Sequence, residues 1–319
     1  MHTAGLPHTP QRLHSTFAWS RILVLSCLLH VASTTRAQET ACPPPGYDRA
    51  ALRELRAQHF KVADDAARQK LALSLLACLA SPDSELRDKI GYEAYAYWRS
   101  GKSLSAATWS GIEQALRRVL DAPGDDPRGV VHPFAALVLA EVVHADRNEG
   151  FLDAQRRLTL LDSAIRYVEG VRDYRGFDDD VGWRHGVAHG ADLLGQLARE
   201  SSLGRRELDR ILAALATQIF TRDDSVYVFG ESERLAAAVA AVAQRHLLSA
   251  DDWKGWIARV AAPAPLPGWA DAWQSRKGLA RRQNTMNFLL ALYAEFGASD
   301  DEALRALAAP VAAAMQPLR

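Results

Sequence analysis

Residues 182–194 read Gly182-Trp183-Arg184-His185-Gly186-Val187-Ala188-His189-Gly190-Ala191-Asp192-Leu193-Leu194. Two histidines stand four apart and an aspartate comes three later, inside apolar residues that recur at helical spacing. A helix from Asp180 or a neighbour to about Glu200 is expected. At ~100° per residue, His189 falls ~40° to one side of His185 and Asp192 ~20° to the other. The three then share a face with Gln196, while Trp183, Leu193, Leu194 and Leu197 turn to the core. Gly186 and Gly190 lie at the edge of the apolar half. Each costs roughly 0.5–1 kcal/mol against alanine in a helix interior, so close packing against another helix is the favoured account of them.

Outward from this segment the helical period holds almost throughout. After Tyr47 the apolar residues keep helical spacing, and Ser225-Val-Tyr-Val-Phe229 is the only strand-like piece. Helix punctuation is frequent. Ser81-Pro82 reads as an N-cap followed by proline, Pro133 opens an apolar run, and Ser299-Asp-Asp-Glu302 has the form of a capping box. Gly204 and Gly297 stand where helices should stop. The chain therefore reads as all-α, with about a dozen helices joined by short loops. Antiparallel hairpins of this kind stack as a degenerate α-solenoid of the HEAT or armadillo type, or close into an α/α toroid. The Pro-rich stretch 261–268 is the best linker candidate, but the segment C-terminal to it is too small for a domain.

Composition sets bounds. Of 319 residues, 48% are hydrophobic and 24% charged, with 38 basic and 38 acidic side chains, so no global field recruits nucleic acid or anionic lipid. Residues 1–37 differ: they hold Arg12, Arg21, Arg36 and no acid, then an apolar run from Ile22 to Ala32, then Ser33-Thr-Thr-Arg-Ala37. This reads as a cleaved secretory signal peptide, too short to span a bilayer. Residues 38–319 are then one helical domain without a membrane span, periplasmic or secreted from a bacterium. Cys27 leaves with the signal. Cys42 and Cys78 remain where a disulfide is permitted, although Cys78 also suits an apolar core.

Several constellations carry chemistry. His185 and His189 at i, i+4 suit one divalent metal ion, with Asp192 as third ligand or as acceptor fixing a tautomer. The residue after His185 is not glutamate, so the H-E-x-x-H protease pattern fails. A metal-free polar ligand site on the same face is the parallel reading. In the preceding loop, Asp173 and Arg175 are suited to aim a charged pair at a ligand, with a mutual salt bridge as the plainer account. Asp178, Asp179 and Asp180 read as helix caps. Glu141-x-x-His144 has di-iron spacing without a second copy. Glu231-Ser-Glu-Arg234 is placed to rim a cavity or to cap a helix, and Trp253, Trp256, Trp269 and Trp273 pack by default. No G-x-S-x-G, C-x-x-C, P-loop or G-x-G-x-x-G occurs.

Four stretches in order, Ser84–Ala94, Phe134–Glu141, Asp173–Phe177 and Gly182–Leu194, resemble the bacterial family called domain of unknown function 2785 over roughly residues 50–300. The resemblance implies a helical protein and assigns no activity. A looser likeness is to helical-toroid enzymes such as lanthionine cyclases, whose zinc site uses cysteines that this motif lacks. The expectation is an exported helical-repeat protein with a ligand site of Asp173, Arg175, Trp183, His185, His189 and Asp192 on its concave face, for a ligand or protein partner. The alternative is a metal- or histidine-dependent hydrolase or lyase using His185 or His189.

Overall fold

The computed structural model describes residues 41–122 and 126–318, so the expected signal peptide lies outside the described residues. In chain order the α-helices are α1 (Arg49–Ala57), α2 (Asp65–Ser74), α3 (Glu93–Ser100), α4 (Ala106–Asp121), α5 (Val131–Glu149), α6 (Ala154–Gly170), α7 (Gly186–Ala198), α8 (Arg205–Ala216), α9 (Glu231–Ala243), α10 (Ala250–Val260), α11 (Arg276–Gly297), α12 (Glu302–Ala306) and α13 (Ala308–Met315). A 3-10 segment, Leu75–Ala80, and a π-helix, Glu85–Tyr92, stand between α2 and α3. The all-α reading holds. Among the described residues the only sheet is a two-residue pair, β1 (Phe177–Asp178) against β2 (Gly182–Trp183), antiparallel with Phe177 opposite Trp183.

The helices form because the punctuation is local. Asp48, Asp64, Ser105, Asp153, Ser249, Ser275 and Asp301 each accept a first-turn amide at the start of a helix. Some expected signals act at shifted positions. Asp83, not Ser81, caps the turn before the π-helix, Gly204 begins α8 rather than ending a helix, and Asp301 takes the cap expected at Ser299.

Packing runs in two rows. α5 packs on α7, α7 on α9 and α9 on α11, while α4 packs on α6 and α6 on α8. Sequential helices α4 and α5, α6 and α7, and α8 and α9 join the rows as hairpins. α5 is buried almost all round from Pro133 to Val143, and α7 from Gly186 to Leu194 with the one exception of Asp192. Such a helix must lie at the centre, because it has no polar face to give to water. The small residues of α7 allow this. A Cβ on Gly190 would come within 2.7 Å of Val168 Cγ2, and one on Gly195 within 3.3 Å of Ala238 Cα. The glycines are thus contact points for α6 and α9.

Two local expectations are corrected. The helix expected from Asp180 begins only at Gly186, because Gly182 (φ +78°) and His185 (φ 58°) take left-handed backbone and Asp178 turns the chain by accepting the amides of Asp180 and Val181. Ser225–Phe229 is extended but pairs with no strand. Asn284 of α11 supplies the missing partners: its Oδ1 accepts from Tyr227 N at 2.9 Å and its Nδ2 donates to Ser225 O at 3.0 Å. The stretch 261–268 is stapled in place by Trp269 Nε1 donating to Ala261 O. Cys42 and Cys78 form a disulfide across 36 residues, tying the Pro-rich leader to the 3-10 segment. Among the described residues no helix is long and apolar enough to cross a membrane.

Gly190 gives a direct test of this packing. Gly190→Ala gains roughly 1 kcal/mol of helix propensity but must displace Val168, an overpacking cost of about 1–3 kcal/mol. A net loss of stability in chemical denaturation is expected, and a more stable variant would refute the close α6–α7 contact.

Candidate ligand site

The hairpin that leads into α7 is held from outside by one side chain. Arg87 of the π-helix is fully buried and donates to Val181 O at 2.7 Å, Trp183 O at 3.2 Å and Ser81 O at 3.0 Å. Its Nε lies 2.8 Å from Asp88 Oδ1, and its guanidinium lies over the Phe134 ring. Burial lowers the Arg87 pKa from its ordinary value and pushes the Asp88 carboxyl up to about 6, against the pull of Arg87.

With the hairpin fixed, His185 and His189 face each other on one side of α7. Their ring centroids are 5.6 Å apart. His185 is stacked on Trp183 at 4.8 Å, and His189 meets Phe134 edge-on. Both histidines are buried, at 8% and 5% exposure, whereas Trp183 is 39% exposed, not turned to the core. Trp183 sits on β2 rather than in the helix, and Phe177 and Phe229 flank it at 5.1 and 6.1 Å. His189 Nδ1 is 3.2 Å from Pro133 O, and His185 Nε2 faces Glu231 Oε1 at 3.7 Å, beyond hydrogen-bonding distance. Burial pushes the His185 imidazole down to about 4, partly opposed by the Phe229 carbonyl. Burial also holds His189 well below its usual range, with His185 adding to the effect. Both rings are neutral near pH 7.

Asp192 is engaged elsewhere. Arg234 Nη1 of α9 donates to both of its carboxylate oxygens at 2.7 Å. Burial pushes Asp192 up to about 6, and Arg234 limits the rise. Nearby, Glu141 accepts from Tyr92 Oη at 3.1 Å and pairs with Arg99. The metal reading of His185, His189 and Asp192 is not met: among the described residues no group of three or more His, Cys, Asp or Glu side chains is placed to hold an ion. The reason is geometric. His185 is the residue before the helix, not a member of it, and the third ligand is bound to arginine.

Asp173 and Arg175 face the other side of the hairpin. They pair with each other, Arg175 Nε to Asp173 Oδ1 at 2.7 Å. The two halves of the motif touch through backbone, Arg184 N to Gly176 O and His185 N to Arg175 O. Gly129 threads between them at φ +69°, where a Cβ would overlap the Asp173 carboxylate. Beside this crossing lies a cavity of about 440 Å³. Leu120, Pro133, Tyr167 and Val171 give it apolar walls, and His132, Arg166, Arg172, Asp173 and Arg184 give it polar groups. Gly186, the first residue of α7, is on the wall too, while His185 and His189 are not. Tyr167 Oη donates to Gly186 O at 3.1 Å, and Arg184 Nε donates to Arg128 O at 2.5 Å.

Of the expected site residues, Asp173 lines the cavity, whereas Arg175, Trp183, His185, His189 and Asp192 do not. His132, Tyr167 and Arg172 were missed because nothing local marks them; they come to the cavity from α5, α6 and the turn after α6. Glu231 and Arg234 were placed near a rim, and they cover the far side of the histidine pair. Trp253, Trp256 and Trp269 are buried, while Trp273 is exposed beneath Arg282.

The neutral histidines carry a pH consequence. Unfolded histidines protonate near 6.5, whereas the native His185 ring resists to about 4. Between those values the unfolded chain binds more protons, so this ring's contribution to stability is lost as pH falls through the window. Asp88 and Asp192 act in the opposite sense, holding protons up to about 6 that the unfolded chain releases near 3.8. In NMR titration the ring signals of His185 and His189 should stay flat from pH 8 to 5.5; a midpoint near 6.5 for either would contradict their burial.

Comparison with curated proteins and with solved structures found no match. A protein family does match, over residues 124–294. The matched region runs from just before α5 into α11 and takes in the hairpin, α7 and the cavity wall apart from Leu120, Asp121 and Ala122, but not Ser84–Ala94. The chain belongs to this family, described as a protein of unknown function, DUF2785.

Proposed function

We propose that this protein binds a small ligand without transforming it, and that the ligand occupies the cavity beside the hairpin. The observation that carries the reading is the cavity's make-up. Its volume of about 440 Å³ and its apolar walls with a few convergent polar groups are those of small-molecule sites, which recur between packed helices. Asp173 and Arg184 bring the expected motif to its wall, and His132 and Arg172 complete a His/Asp/Arg set. Trp183, His185 and His189 then serve the site indirectly, by fixing the backbone that leads into Gly186. The two rows of helices support a degenerate solenoid as the scaffold. The hydrolase or lyase alternative draws support from none of these contacts.

Export is proposed alongside. It rests on the basic and then apolar N-terminal segment and on the Cys42–Cys78 bridge, which persists in an oxidising compartment and is rare in a reducing one. On expression in a bacterium, intact-mass analysis of the periplasmic fraction should find a chain beginning at Gln38 with the bridge closed. A full-length, reduced chain confined to the cytosol would count against export.

The cavity is tested by a fragment screen read in two-dimensional NMR. Bound fragments should shift the amides of Gly129, Gly170 and Gly186 and leave Gly255 and Gly297 unmoved. Leu120→Trp, on the partly exposed end of α4, should block binding at unchanged melting temperature. Fragments that bind only away from these three glycines would sink the reading.

A further inference from the structure

We infer that the cavity takes a monocarboxylate, an apolar body carrying one acid group, and that Arg172 reads the charge. This rests on the cavity reading and names its ligand. Among the described residues, each carboxylate on the wall already has partners. Asp121 is bound by Arg166, with Arg166 Nη2 to Asp121 Oδ1 at 2.7 Å. Asp126 accepts the amides of Val130, Val131 and His132, and the His132 ring lies 3.5 Å from it. Asp173 is bound by Arg175. The cation of Arg184 is likewise matched, by Asp178.

Arg172 is the exception. Among the described residues it meets no carboxylate; its Nη1 donates to Glu169 O at 2.8 Å and Val171 O at 2.5 Å. The side chain is exposed at the cavity mouth; the carbonyls leave its Nε and Nη2 with no protein partner among the described residues, and a guanidinium presents its donors in a fork that fits a carboxylate. A second feature favours the same charge. α7 starts at Gly186 on the cavity wall, and its N-cap residue, His185, gives no side-chain cap. The first-turn amides of a 13-residue helix therefore add their partial positive charge at that wall. The rest of the lining is apolar: Leu120, Pro133, Val171 and the ring of Tyr167. An acid head with an apolar body answers both parts, whereas an ammonium head would meet an unpaired cation.

Capping of α6 is the plain alternative role for Arg172, since a basic side chain near a helix C-terminus satisfies its last carbonyls. The experiment separates the two. Octanoate, octanamide and octylammonium share one tail and differ in the head group, and their binding to the whole protein is measured by calorimetry and by the NMR shifts of Gly170 and Gly186. Octanoate should bind at least tenfold more tightly than octanamide, and octylammonium most weakly. In Arg172→Gln most of the octanoate advantage should be lost, the helix N-terminus keeping a small remainder, with octanamide affinity unchanged. An octanoate advantage that survives in Arg172→Gln, with only melting temperature lowered, assigns Arg172 to capping and overturns the inference. Octanamide or octylammonium binding at these glycines as well as octanoate does the same while leaving the cavity a ligand site. If none of the three moves Gly170 or Gly186, the cavity reading itself fails.

Discussion

A fully buried guanidinium, that of Arg87, ties the π-helix to the carbonyls of Val181 and Trp183, and much of the site depends on that contact. A charge taken out of water must be offset by hydrogen bonds in good geometry, and leaving such a group or its partners unpaired costs about 3–5 kcal/mol. The hairpin between β1 and β2 therefore has one stable position. Its end delivers His185 in left-handed backbone, and His185 sets where α7 begins. Gly186 becomes the first helical residue and reaches the cavity wall. Arg87 is carried on the π-helix among its buried residues, beside Leu86 and Ile90.

The second constraint is the thinness of α7. Packed on α5, α6 and α9 at once, α7 meets its neighbours through buried leucines and valine, and at Gly190 and Gly195 it leaves no room for a side chain. Gly190 and Gly195 lose backbone entropy in allowing close approach, and the packed surface of the neighbouring helices offsets that loss. The histidines occupy the one side of α7 where aromatic rings fill the gap. Flanked by Trp183 and Phe134, they are too well buried to carry charge near neutral pH, so they behave as polar filling. Asp192, one turn on, is pushed up by burial, and Arg234, which grips both oxygens, opposes the rise.

The site divides accordingly into a buttress and a cavity. Trp183, His185, His189 and Asp192 form the buttress, sealed by their own contacts. Asp173, Arg184 and Gly186 stand at the cavity together with residues from α5 and α6. The backbone pairings between 175–176 and 184–185 join the two, so a change on either side is felt on the other. The exposed aromatic edge of Phe177, Trp183 and Phe229 is the outer skin of the same unit.

The amino-acid sequence by itself determined the all-helical class and most of the helix starts. These are local matters: periodicity, capping side chains and glycine act within a few residues. It also marked Gly186 and Gly190 as packing positions, because a helix does not carry such glycines for its own stability. Tertiary structure decided the rest. The chain before His185 is held by Arg87, almost a hundred positions away, through the carbonyls of Val181 and Trp183, a contact that nothing within the segment announces. Which acid meets which base was equally hidden: Asp192 looks like a metal ligand until α9 brings Arg234 beside it. Arg172 carries no motif, and that it meets no carboxylate among the described residues is visible only once those on the cavity wall have been given their partners. Pairing in a protein interior is settled by which groups are left without water, and that is a property of the packed chain.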